Sequence, residues 1–88
     1  MKIFELIPTN GRKSFYGKKR VEEKYNGEAV LYSYNTAVLK RTANGELFRL
    51  WTGETQTTIN HANAFLKFYG VNGGGVAFWR TIPTAMGV

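Results

Sequence analysis

The 88 residues are 43% hydrophobic and 15% aromatic, enough for one small domain with a single core. There is no cysteine, which excludes a disulfide scaffold and a Cys-based zinc site, and no apolar run approaches the roughly 20 residues that span a bilayer. Net charge is +6, and all six acids are Glu, yet residues 11–20 hold Arg12, Lys13, Lys18, Lys19 and Arg20 with no acid, an imbalance that suits an acidic partner.

Residues 2–7 read as a short strand. Glu5 interrupts its apolar stretch and Pro8 ends it too early for a signal peptide, so a cytoplasmic protein is expected. Asn10-Gly11 marks a turn. From Ser14 to Tyr25 the residues alternate, with Phe15, Gly17, Val21 and Tyr25 on one side and Lys18, Arg20, Glu22 and Lys24 on the other. That is the pattern of a half-buried strand with a charged outer face. Lys19 falls on the inner side, which predicts a bulge or a strand end beside it.

Asn26-Gly27 predicts a two-residue hairpin of type I′, the turn that needs positive φ at both central residues. Glu28 to Thr42 is rich in Val, Tyr, Thr and Leu, long for one strand, with a bend expected at Ser33-Tyr34-Asn35-Thr36. Asn44-Gly45 is a second hairpin signal, and Leu47 to Trp51 reads as the strand after it. Past Gly53 the period changes. Ile59, Ala62, Leu66 and Tyr69 fall at i, i+3, i+7 and i+10, the stripe of an amphipathic helix over about 55–69. Thr55 suits its N-cap and Gly70 its C′ position. Gly73-Gly74-Gly75 reads as a hinge. Val76 to Ile82 can form one short helix, stopped by Pro83, with 83–88 expected to fray. The fold predicted is a single α+β domain: an antiparallel meander of three to five strands packed against one main helix, plus a short C-terminal helix.

Catalysis finds little support. His61 is the only histidine, and the Cys or Asp of the usual nucleophilic arrangements is missing. A non-enzymatic protein without metal or cofactor is expected. His61 has Thr57 four residues before it and Phe65 four after. A partly buried imidazole bonded to Thr57, Thr58 or a backbone carbonyl is the structural reading, and a partner-contacting residue is the functional one. The glycine run lacks the Lys-Ser/Thr ending of a phosphate loop, since Val76 follows it. The stretch with most chemical content is Arg12-Lys13-Ser14-Phe15-Tyr16-Gly17-Lys18-Lys19-Arg20, where cations interleaved with aromatics suit a groove that tracks a phosphate backbone. The alternative is that Phe15 fills the core and the cations face water.

The segments Arg12 to Lys18, Ser33 to Val38 and Arg49-Leu50-Trp51-Thr52-Gly53 resemble a family of small proteins of unknown function from bacteriophages and mobile elements of Gram-positive bacteria. The likeness continues through Thr57-Thr58-Ile59-Asn60-His61 with Phe65-Leu66, and through Gly74-Gly75 with Trp79. In that family a small residue is usual where Lys19 stands, a Lys where Val76 stands, and an acid often takes the place of Arg80. The resemblance implies a host bacterial cytosol and a task among nucleic acids or host defences.

The expected function is therefore a non-enzymatic accessory protein that binds nucleic acid or a nucleoprotein. Arg12, Lys13, Tyr16, Lys18, Lys19 and Arg20 would make the contacts, with Arg41 and Arg49 as extensions and His61 and Trp79 as further candidates. Two alternatives are an anti-defence inhibitor that binds a host protein and an oligomer-forming module that uses apolar faces such as Trp51, Phe78 and Trp79.

Overall fold

A computed structural model describes residues 2–5 and 19–85. Five antiparallel strands follow one another in the sheet in chain order: β1 (Lys2–Glu5), β2 (Lys19–Glu23), β3 (Ala29–Ser33), β4 (Thr36–Arg41) and β5 (Leu47–Arg49). Two helices follow, α1 (Gln56–Phe68) and α2 (Gly75–Thr81). The predicted α+β meander with one main helix and a short C-terminal helix is what forms.

Alternation along the strands assigns the two faces of the sheet. Val21, Ala29, Leu31 and Leu39 are buried with Ile59, Ala62, Phe65 and Leu66 of α1 and with Trp79 and Ile82 of the α2 end. Both helices therefore pack on this one face. The register shifts between Leu31 and Tyr32, which pair with Leu39 and Ala37. Val38 is the extra residue, and the bulge lets consecutive Val38 and Leu39 both enter the core. Arg20, Val30, Tyr32, Lys40 and Phe48 alternate with the inward set and face the other side.

Helix α1 starts and stops where its sequence signals it. Thr55 is the N-cap, its Oγ1 accepting from Thr58 N at 3.2 Å. At the far end Gly70 N donates to Lys67 O and Val71 N to Leu66 O, the paired bonds of a Schellman motif. Burial of Phe65 and Leu66 stabilises the helix against the sheet by roughly 2 kcal/mol each.

Four local expectations need correction. The Asn-Gly turns are not type I′, because Tyr34 is the only non-glycine described residue with positive φ. Instead Gly27 N donates to Lys24 O and Lys24 N to Glu28 O, and residues 42–46 repeat the pattern. Each is a type I turn closed by a left-handed glycine, Gly27 at φ +93° and Gly45 at φ +91°. Secondly, Tyr25 is 96% exposed, since the turn carries it past the sheet edge of the core. Thirdly, β5 ends at Arg49, so Trp51 lies beyond the strand that was expected to contain it. Lastly, part of the tail is held: Arg49 N donates to Pro83 O at 2.7 Å and Ala85 N to Arg49 O at 2.9 Å. This short parallel pairing covers the outer edge of β5.

Candidate functional site

The predicted contact residues scatter. Arg12, Lys13, Tyr16 and Lys18 lie outside the described residues. Lys19 is 1% exposed, paired across the sheet with Ser33 on the helix-covered face. Its inward position follows from the alternation, and its burial leaves it little surface to offer a partner. Loss of water brings its ammonium pKa down from 10.5 to about 8, with Glu5 acting the opposite way. A small residue here, as the family resemblance has it, would avoid that desolvation.

Arg20 points to the opposite face. Its guanidinium lies 4.3 Å from the centre of the Tyr32 ring, Nε donates to Glu22 at 3.3 Å, and Nη1 donates to the Tyr34 carbonyl at 3.1 Å. Arg41 and Arg49 sit on the helix side. Arg41 stacks near Tyr69, 5.2 Å from the ring centre. Arg49 Nε donates to Ile82 O at 2.8 Å, and its guanidinium stands 5.6 Å from the Trp79 ring. Among the described residues these three arginines form no continuous groove, and each already holds parts of the fold together. The departure at Arg80 has a local reason: its guanidinium makes a two-pronged ion pair with Glu54, with Nε to Oε2 at 2.8 Å and Nη2 to Oε1 at 2.9 Å.

His61 and Trp79, at 0% and 2% exposure, are core residues and not surface contacts. The His61 partner is neither threonine expected for it. Nδ1 is hydrogen-bonded to Ser33 Oγ at 2.8 Å, tying α1 to β3. A hydroxyl and an imidazole at that distance resemble a nucleophile and its base, but both groups are buried beneath the surface. Their tie is a buried polar link between α1 and β3. Among the described residues no cluster of three or more metal-binding side chains occurs, and no helix is long and apolar enough to cross a membrane.

What the structure does bring together is one end of the sheet. β1 ends at Glu5, opposite Arg20, and β2 begins at Lys19, both at this end. The two-residue turn Tyr34-Asn35 between β3 and β4 is here too. So is the N-terminus of α1, whose first turn carries no acid. A cleft of about 380 Å³ runs between them, lined by Ser33, Tyr34, Thr36, Trp51, Thr55 and Thr57. None of its described lining residues is charged. The Trp51 ring packs close against Gly53, where any Cβ would collide with it.

Tyr34 stands at the rim. Its side chain is exposed, and it takes φ +57°, a conformation that costs a non-glycine residue about 1 kcal/mol or more. The Arg20 bond to its carbonyl steadies the turn. Tyr34 also edges a second hollow, with Ile3, Phe4, Glu5, Lys19 and Arg20. Neither Tyr34 nor the Trp51 cleft is prominent in the sequence. The available signal is a tyrosine at the first central position of a tight turn, where glycine or asparagine is the ordinary choice.

Comparison with curated proteins and with solved structures finds no match. A family model described as a family of unknown function, DUF8033, matches residues 2–81, nearly the whole chain, and the protein belongs to that family.

Proposed function

We propose that this protein is a non-enzymatic nucleic-acid-binding accessory protein that grips the phosphate backbone at the Tyr34 end of the sheet. The observation that carries the reading is a coincidence of place. The acid-free segment with Arg12, Lys13 and Lys18 is rooted at Glu5 and Lys19, beside the exposed Tyr34 ring and the acid-free first turn of α1. Cations supply salt-dependent affinity, the helix end adds partial positive charge, and threonine hydroxyls add hydrogen bonds to phosphate or sugar. Lys19 and Arg20 drop out of the contact set, because one is buried and the other is engaged within the fold. An origin in a phage or mobile element, acting in the host cytosol, accords with this task.

The test is a salt titration of binding to random duplex and single-stranded oligonucleotides. Three phosphate contacts give a log–log slope of roughly −3 on duplex and roughly −2 on single strands. Reversal of Arg12, Lys13 and Lys18 to Glu flattens the slope and weakens all sequences alike. Lys67→Glu, on the exposed side of α1 near its C-terminal end, serves as the control and changes little. Absence of binding at low salt, or binding indifferent to the triple reversal, disproves the reading.

A further inference from the structure

We infer that the cleft between Tyr34 and Trp51 receives one unpaired base of a single-stranded nucleic acid, with the Tyr34 ring as its stacking platform. The inference rests on the nucleic-acid reading above and names the form of nucleic acid that the site prefers. Three observations carry it.

The first is the cost accepted at Tyr34. The β3–β4 turn needs left-handed backbone at its first central residue, which glycine supplies without strain. Placing tyrosine there holds a ring in water at the mouth of a cleft, 55% exposed, while its backbone is clamped by Arg20 Nη1. Among the described residues its aromatic neighbour is His61, 6.2 Å away between ring centres. The second is the wall chemistry. Trp51 gives a flat apolar surface packed close against Gly53, while Thr36, Thr55 and Thr57 give hydroxyls that both donate and accept. A nucleobase has an apolar face for the ring and a polar edge for the hydroxyls. The third is charge. The described lining carries none, which suits a neutral base and leaves the phosphates outside the cleft. A base paired within a duplex exposes no face for stacking, so single strands are favoured.

The experiment compares the wild type with Tyr34→Asn on a thymidine oligonucleotide and on a random duplex, each across a salt series. Asparagine tolerates the left-handed turn, so the variant stays folded. Single-strand affinity falls about tenfold, duplex affinity much less, and the salt slope stays unchanged, because stacking is lost and phosphate contacts are kept. Single-strand binding also quenches tryptophan emission, and Trp51→Phe removes the quench, since Trp79 is buried. Equal losses on both ligands, or binding without a quench, overturn this inference and leave the proposed function standing. No salt-dependent binding to either ligand overturns both.

Discussion

The two ends of the sheet are built on different terms. At one end, residues 24–28 and 42–46 make the same relaxed turn, each closed by a left-handed glycine. Asn26 Oδ1 accepts from Glu28 N at 3.0 Å, Thr42 Oγ1 accepts from Glu46 N at 3.0 Å, and α1 ends there in its Schellman motif. Close by, burial of Tyr69, together with the hydrogen bond its Oη donates to Glu23 at 2.7 Å, pushes the phenol pKa well up. Each choice at that end agrees with local propensity. At the other end a lysine is buried, a tyrosine sits in glycine's conformation, and a histidine–serine pair occupies the core. Sequences that fold well obey local rules where only folding is at stake, and break them where a site is made. The contrast singles out the Tyr34 end without reference to any ligand.

The largest effect that sharpens this contrast is expected at Lys19. Its folded-state pKa, about 8, lies below the unfolded value of 10.5. Between these values the unfolded chain holds a proton that the folded chain has released. Stability therefore rises with pH across this window, and the penalty is complete below about pH 8. Lys19→Met is expected to remove this pH dependence, so that the stability difference between the two proteins shifts in favour of the wild type as pH rises from about 8 toward 10.5. Urea denaturation at several pH values reads this directly. Parallel stability curves would show that the lysine is accommodated at no cost, and the contrast between the ends would weaken.

The next effect belongs to the relaxed end. Gly27→Val forces a β-branched residue into φ +93°, with its Cβ 3.0 Å from that of Ala43. A loss on the order of 2 kcal/mol is expected, with oligonucleotide binding per folded molecule unchanged. Thermal melting and a binding titration on the same sample check both halves. A binding loss with an unchanged melt would place function at the wrong end.

Much of the fold was legible because its signals are local. The change from alternation to a helical period past Gly53, the Thr55 cap, the Gly70 stop and Pro83 all act within a few residues of where they stand. The Asn-Gly pairs located both hairpins but misidentified the turn, since the same dipeptide serves type I′ and a type I turn with a closing glycine. Strand register decides between them, and register is set across the sheet. The alternation placed Lys19 inward, yet nothing local announces that its neighbours are Glu5 on β1 and Ser33 on β3. The Ser33–His61 and Glu54–Arg80 partnerships span 28 and 26 residues, with no local pattern to announce them. For the site, the sequence pointed to the basic stretch and not to the Tyr34 ring, because nothing in the letters Ser-Tyr-Asn-Thr states which residue takes the left-handed position.

The smallest expected effect is the most telling one. Tyr34→Gly removes the side chain from a backbone that only glycine adopts freely. Relief of the turn favours the variant, while the greater freedom of glycine in the unfolded chain opposes it. The ring is exposed, so its removal uncovers little core. The sum is a change within about 1 kcal/mol, on the stabilising side if relief of strain wins. A core tyrosine would instead lose several kcal/mol on truncation. Chemical denaturation of Tyr34→Gly separates the two cases. A large destabilisation would make Tyr34 a packing residue and remove the reason to see a site at its end of the sheet. A neutral or improved fold leaves the strained tyrosine without a structural justification. Its retention must then be explained by what the exposed ring touches when a ligand is bound.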